Sequence, residues 1–363
     1  MMLNKGLQVA DDPALLKKML DDQDRCNDLY KPTNYWAFYE KKFLPELRRH
    51  GLRDFRRRRA SVLSSFGATD LRIKAEIEFQ PRIRGRNKLT KYLSVLFNKL
   101  PFVALAASGI DLNDVTLYFY WRVKAKFDAL GMDLDRCPTS RFGNPEDLLE
   151  VNGRPWSRQH LQYCAMFADA AKHINFSSER STICELGPGM GRNIEIMAHL
   201  LPDATFLVFD IAPQLYVSNL YLQTVFGTRV IPYGEAVSLK PEAEQAKGRI
   251  IILPSWKMPE WSSFKIDVFW NSASFQEMEP GVVLNYLRLV NQMGPEKIYI
   301  NSMLKGNYWG EWKSGRGGTK APVEEQHYWE GLNGLYRLAH SWSTDLFLRR
   351  PDHTSYIFER RAR

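Results

Sequence analysis

Thr182-Ile-Cys-Glu-Leu-Gly-Pro-Gly-Met-Gly-Arg-Asn193 decides the fold, together with Phe206-Leu-Val-Phe-Asp210, whose acid stands nineteen residues beyond Gly191. Apolar residues lead into a glycine-rich turn. Ile194, Met197, Ala198 and Leu201 then recur at i, i+3, i+4 and i+7, the period of an amphipathic helix. A second apolar run ends in a carboxylate. The order strand, loop, helix, strand describes a β-α-β unit with a ligand crevice at the carboxyl ends of its strands. Glycines let the backbone pass close to a ligand, and an acid at the tip of the second strand can hold both hydroxyls of a ribose. A dinucleotide fingerprint, G-x-G-x-x-G, would need its third glycine at Arg192. The chain instead reads E-x-G-x-G-x-G from Glu185 to Gly191.

Strands and helices alternate outward from this unit, as a doubly wound α/β sheet requires. Pro213 and Gly227 delimit a helix after Asp210, and Arg229-Val-Ile-Pro-Tyr-Gly is a third strand. Arg249-Ile-Ile-Ile-Leu-Pro254 is a short apolar segment, and Ile266-Asp-Val-Phe-Trp-Asn271 follows as a fourth strand. A helix over Pro280–Met293 and a strand over Lys297–Asn301 complete the series, and the last thirty residues can supply two antiparallel edge strands. A helix over Ser157–His173 leads into the first strand. Upstream, the chain reads as mostly helical. Leu15, Leu16, Met19 and Leu20 form one apolar stripe, and Trp36, Tyr39, Phe43 and Leu47 form a second, read as core. Val115–Phe127 fits a buried strand or a helix equally. Phe142-Gly-Asn-Pro-Glu with Asn152-Gly-Arg-Pro-Trp156 reads as a linker or a substrate-facing loop, and the glycine-rich Trp309–Lys320 as a lid. These boundaries divide the chain into a mainly helical region, residues 1–155, expected to cap the substrate or to oligomerise, and a sheet domain, residues 156–363, that carries the ligand crevice.

Composition fits a globular enzyme: 363 residues, 44% hydrophobic and 25% charged. The four cysteines (Cys26, Cys137, Cys164, Cys184) are scattered and suggest neither a zinc site nor a disulfide framework. The start of the chain lacks the apolar run of a signal peptide, and the most apolar stretch, Leu100–Ile110, is too short to span a bilayer. The expected location is the cytoplasm. Charge is uneven. Between Arg48 and Lys91 fourteen Lys or Arg face four acids, a local +10 against +9 for the whole chain. The run reads either as a solvated helical face or as a surface for an anionic acceptor or an anionic membrane. Nucleic acid is the less favoured partner, because Asp54-Phe-Arg-Arg-Arg-Arg-Ala60 has little aromatic interleaving for base stacking.

After the strand at 266–271 comes Asn271-Ser-Ala-Ser-Phe-Gln-Glu-Met278, polar groups at a strand end beside the crevice. Ser272 and Ser274 also suit helix caps, and Gln276 and Glu277 also suit a helix surface.

The Glu185–Gly191 loop with Asp210 resembles motif I of the class I S-adenosylmethionine-dependent methyltransferases. Further pieces resemble the sugar O-methyltransferases of bacterial polysaccharide and glycosylated natural-product clusters. They are Asn34-Tyr-Trp-Ala-Phe-Tyr, Asp54-Phe-Arg-Arg-Arg, Leu220-Tyr-Leu-Gln-Thr-Val-Phe-Gly and, above all, Asp267-Val-Phe-Trp-Asn-Ser-Ala-Ser-Phe-Gln-Glu-Met. The last eighty residues carry no such match. The resemblance implies a Rossmann-like methyltransferase sheet with a mainly helical N-terminal domain, and S-adenosyl-L-methionine as cofactor. It implies that Glu185, Gly187, Pro188, Gly189, Gly191, Arg192, Asn193, Asp210, Ile211, Pro254, Asn271 and Ser272 hold that cofactor. The acceptor would be a sugar hydroxyl on a small molecule or glycan. Glu277 is the expected general base, with His327 as the alternative, and Gln276 and Asn271 are expected to orient the sugar or the methionine portion of the cofactor. Asp267 or Glu277 could serve a magnesium ion, but no compact carboxylate cluster is visible and no metal is expected. A homo-oligomer is compatible with the sequence. The competing readings are a methyltransferase of a non-sugar natural product or of RNA, and a non-catalytic protein on the same fold.

Overall fold

The computed structural model describes residues 7–57, 112–145, 147–176, 181–241, 246–303, 318–332, 334–343 and 353–362. Most of the basic run, from Arg58 onward, and the glycine-rich 304–317 lie outside the described residues. In chain order come α1 (Pro13–Arg25), α2 (Asn34–His50), α3 (Leu112–Asp128), the hairpin β1 (Leu148–Val151) and β2 (Arg154–Ser157), and α4 (Arg158–Ala171). They are followed by β3 (Thr182–Leu186), α5 (Arg192–Leu200), β4 (Thr205–Asp210), α6 (Ala212–Phe226), β5 (Val230–Ile231) and β6 (Ile250–Pro254). The remainder is β7 (Val268–Ser272), α7 (Pro280–Met293), β8 (Lys297–Met303), α8 (Glu325–Leu332), β9 (Tyr336–Ser343) and β10 (His353–Arg360).

Eight strands form one sheet in the order β5-β6-β4-β3-β7-β8-β10-β9. The first six in that order pair in parallel, and β10 is antiparallel to both β8 and β9. This is the doubly wound, Rossmann-like α/β sheet expected. The winding reverses between β3 and β7, so the carboxyl ends of those strands open a crevice. One expectation needs correction: of the two C-terminal strands only β9 is an edge, because β10 is inserted between β8 and β9.

The sheet is covered on both faces, and its strands read accordingly. Phe206 and Val208 of β4 pack with α1 to α6, whereas Leu207 and Phe209 pack with α7 and α8. A strand buried on both faces needs apolar residues at every position, which explains the unbroken Phe-Leu-Val-Phe run. α6 starts beyond Asp210 with Pro213 in its first positions and ends at Gly227, φ 54°. α4 is capped by Ser157, whose Oγ accepts from the His160 amide at 3.2 Å.

Two segments that the pattern left open are settled by packing. Residues 115–127 lie in α3, a helix that buries Phe119, Tyr120, Val123 and Phe127. Asn152-Gly-Arg-Pro-Trp156 is a two-residue hairpin turn and its return strand, not a linker. Asn152 and Gly153 both take positive φ (52° and 72°), the geometry that matches the twist of paired strands. Trp156 is buried in the core on that return strand. Arg56 also departs from the solvated face expected of the basic run. It is buried and donates to the carbonyls of Ser140 and Phe142. Among the described residues no helix is long and apolar enough to cross a membrane.

Candidate functional site

The glycine loop joins β3 to α5 with Gly187, Gly189 and Gly191 at φ 75°, 61° and 93°, conformations that a side chain strains. The Gly187 amide bonds back to Phe209 O at 2.8 Å, which ties the loop to the neighbouring strand. A Cβ on Gly187 would stand 2.4 Å from the side chain of Ser274. Ser274 cannot easily retreat, because its Oγ donates to Leu186 O at 3.0 Å and accepts from Asn271 Nδ2 at 2.7 Å. Gly187→Ala should therefore destabilise the fold by about 1–3 kcal/mol from its backbone conformation alone, with the Ser274 clash added. Denaturant unfolding measures it, and an unchanged midpoint would contradict the packing described.

Glu185 and Asp210 face the loop from below and beside it. Glu185 is fully buried, and its Oε1 accepts from Asn193 Nδ2 at 2.7 Å. Burial pushes its carboxyl up to about 8, opposed by that bond and helped by the nearby Asp210. Asp210 ends β4, and its two oxygens accept from the Gly189 amide at 3.0 Å and the Ile211 amide at 2.8 Å. Burial pushes it up to about 7 against those two bonds. Each carboxylate oxygen keeps a lone pair for a hydroxyl donor on a ligand.

These raised values carry a pH signature. An acid whose folded pKa exceeds its unfolded value binds a proton in the native state that the unfolded chain has lost, so stability falls as pH rises between the two values. For Asp210 that window runs from 3.8 to about 7. His160, held near 4 by burial, works in the opposite direction below its ordinary 6.5. The informative quantity is thus the difference between wild type and Asp210→Asn. Wild type should lose thermal stability relative to the variant as pH is raised from about 4 to about 7, and parallel curves would contradict the assignment.

Past β7 the chain turns through Ala273, which takes φ 63° although it is not glycine. A 3₁₀ turn over Phe275–Glu277 follows. Above it runs the crossing between Tyr30 and α2. Tyr30 packs on the α7 face of the sheet, and Phe43 and Leu47 of α2 pack on the opposite face. The crossing is stitched down at three points. Thr33 Oγ1 donates to Glu277 O at 2.9 Å, Trp36 Nε1 to Glu277 Oε2 at 3.1 Å, and Asn34 Nδ2 to Gly318 O at 2.6 Å.

A cavity of about 280 Å³ lies between these parts. Its wall includes Gly187, Pro188, Gly189, Arg192, Asn193, Asp210, Ile211, Ser272 and Glu277. The crossing adds Lys31, Pro32, Thr33, Tyr35 and Trp36, and α7 adds Val282 and Tyr286. The Glu277 carboxylate thus shares one chamber with the glycine loop and Asp210.

Other expected site residues stand elsewhere. Glu185 and Gly191 underlie the loop without lining the cavity. Gly191 is required by its φ of 93°, and a Cβ there would also meet Leu222 Cδ1 at 2.8 Å. Asn271 is buried away from the cavity and clamps strand ends, its Nδ2 donating to Leu186 O at 3.0 Å and its Oδ1 accepting from the Phe275 amide at 3.2 Å. Gln276 is likewise off the wall, because its Oε1 accepts from the Met303 amide at 2.8 Å and so caps β8. Pro254 pairs beside Asp210 at the end of β6 without reaching the wall. His327 lies on α8, off the cavity, with Nδ1 accepting from the Glu324 amide at 2.9 Å. Asp267 sits at the amino end of β7, where its Oδ2 accepts from the Thr182 amide at 2.7 Å. It is at the opposite end of the strand from Glu277, so the two cannot share an ion. Among the described residues no group of three His, Cys, Asp or Glu is placed to hold a metal.

Sequence reasoning missed the crossing and Gln214. The helical spacing places Trp36 in a core stripe, but only Phe43 and Leu47 of that stripe are buried, and Trp36 faces the chamber. The signal available was Asn34-Tyr-Trp-Ala-Phe-Tyr, too aromatic for an ordinary helix start.

No family model matches the chain, and no curated protein matches it. Among solved structures the fold is similar to mitomycin 7-O-methyltransferase, at 15% identity and TM-score 0.36, over 56% of this chain and 57% of that one. It is similar to magnesium protoporphyrin IX methyltransferase from Synechocystis PCC 6803, at 10% and 0.39, over 56% and 84%. It is also similar to the Methanococcus jannaschii fibrillarin pre-rRNA processing protein, at 13% and 0.37, over 60% and 83%. The chain thus spans less than two thirds of the mitomycin enzyme's length, and these likenesses concern the fold alone.

Proposed function

We propose that this protein is an S-adenosylmethionine-dependent O-methyltransferase that acts on a sugar hydroxyl. The observation that carries the reading is the shared chamber: a loop of positive-φ glycines, a buried acid at the next strand tip, and Glu277 all face one cavity. The residues fit the cofactor. Gly187 leaves room where a side chain would collide, and Asp210 keeps lone pairs for two ribose hydroxyls. When bound, S-adenosyl-L-methionine supplies a methyl group activated by its sulfonium.

The chain's own work is alignment and proton removal. A sugar hydroxyl is a very weak acid, so a positioned base contributes about 10²–10⁴-fold. Glu277 is that base, and the Trp36 indole N–H, donating to its Oε2 at 3.1 Å, fixes the carboxylate in the chamber wall. Trp36, Tyr35 and Thr33 roof the chamber, and residues 1–155 act as the acceptor-side cap. A methyl-transfer screen over nucleotide sugars, glycosides and an RNA pool, read by mass, tests the reading. Methylated sugar is the expected product. Methylation of RNA alone would replace the sugar with a nucleic-acid acceptor. Failure to bind S-adenosylhomocysteine would remove the enzyme reading altogether.

A further inference from the structure

α2 has an inner face, packed on the chamber and the core, and an outer one. Trp36, Glu40, Phe43 and Leu47 follow the helical period on the inner side, where Phe43 and Leu47 are buried. On the outer side Asn34, Ala37, Lys41, Pro45 and Arg48 form an exposed stripe of the same period. Lys42 and Arg49, one position further on, and Arg53 beyond the helix end are exposed as well. The stripe starts at the lip of the chamber, because Asn34 Nδ2 donates to Gly318 O at 2.6 Å where the crossing is stitched down. At ~1.5 Å per residue it runs about 21 Å from Asn34 to Arg48.

Its charge is one-sided. From Lys31 to Arg57 eight Lys or Arg stand against three acids. Two of those acids face away from the stripe: Glu40 is hydrogen-bonded to Gln23 on the inner side, and Asp54 accepts from Asn144 Nδ2. Lys31 carries the positive charge into the cavity, which it lines. Its partner, Asp28 at 2.8 Å, has a side chain 92% exposed, so the pair is weak and open to exchange. A surface of one sign concentrates opposite charge along its length.

Spacing selects the anion. Lys41 and Arg48, and likewise Lys42 and Arg49, are seven residues apart, about 10.5 Å along the axis. A DNA strand places a phosphate every ~3.4 Å, about three times as densely. A polysaccharide with one carboxylate per disaccharide has the matching interval. The stripe has no ring on which a base could stack. Among the described residues none of the exposed large apolar side chains lies on α2, so the face has nothing to insert into a bilayer.

We propose that the outer face of α2 is a track for an anionic polysaccharide, holding the polymer while one of its sugar units enters the chamber past Lys31. The fate of that unit rests on the sugar reading above, whereas capture of the polymer does not.

The test compares Lys41→Glu/Arg48→Glu with a control of equal charge change, Lys240→Glu/Lys265→Glu, at exposed positions on other elements. Calorimetry on the full chain without cofactor titrates hyaluronate, which has one carboxylate per disaccharide, and neutral dextran. Poly(U) and phosphatidylserine vesicles are titrated beside them. Wild type should bind hyaluronate and not dextran, and more weakly as salt rises. The stripe variant should lose about tenfold in affinity, and the control variant should not. Equal losses in the two variants would reduce the effect to net charge and overturn the track, as would no binding of hyaluronate by wild type. Tighter stripe-dependent binding of poly(U) or of vesicles would give the face to RNA or to a membrane and overturn the polysaccharide. If the stripe variant lowers Tm, Lys41→Gln/Arg48→Gln removes the charges without reversing them and is read in the same way. S-adenosylhomocysteine affinity should be equal in all variants. Its absence in wild type would remove the enzyme reading and leave the polymer result standing.

Discussion

Glu277→Gln is expected to lower kcat by about 10²-fold or more while leaving the affinity for S-adenosylhomocysteine nearly unchanged. The substitution preserves shape and can still accept from the Trp36 indole, whose N–H meets Oε2 at 3.1 Å. Only the capacity to take a proton is removed. Single-turnover methyl transfer, monitored beside calorimetry on the same sample, separates chemistry from binding. A fall of less than threefold would show that alignment alone carries the reaction. Loss of cofactor affinity instead would make Glu277 a structural tie for the crossing, which its carbonyl also anchors through Thr33 at 2.9 Å. Trp36→Phe then serves as the companion variant. It keeps the aromatic roof and removes the N–H, so kcat should fall with little effect on cofactor affinity.

Asp210→Ala should weaken S-adenosylhomocysteine binding by about 10²–10⁴-fold. Two hydrogen bonds from ribose hydroxyls to an ionised acceptor are worth roughly 1.5–3 kcal/mol each. The same carboxylate orders the glycine loop by accepting from the Gly189 and Ile211 amides, so its loss also releases the backbone that the ligand must approach. Calorimetry at about pH 8 measures the effect, because there the carboxyl, raised to about 7, is ionised. Unchanged affinity would remove Asp210 from the ribose site and with it the cofactor assignment.

Much of this site could be read locally. Glu185 to Asp210 is a contiguous strand, loop, helix and strand, and each piece announces itself by spacing. Unbroken apolar runs imply strands buried on both faces, and glycines imply backbone angles that other residues resist. The residues after β7 were legible as a polar cluster but not in their division of labour. Asn271, Ser274, Gln276 and Glu277 are all short-range neighbours of the crevice. The structure turns Asn271 and Gln276 to backbone partners on Leu186 and Met303, and leaves Glu277 on the wall. In a 3₁₀ turn one residue of rotation decides between core and cavity, and no periodicity spans so short an element.

Nothing local could place Trp36 against Glu277, 241 residues away, or leave Gln214 unpaired in a chamber built from several elements. The doubly wound sheet, the glycine loop and the acid beside it follow from neighbouring residues, because backbone conformation and apolar period are properties of consecutive positions. The tertiary structure alone decided which polar side chains face the chamber and which satisfy the backbone. That choice depends on hydrogen-bond partners brought in from distant elements when the α2 crossing closes over the strand ends.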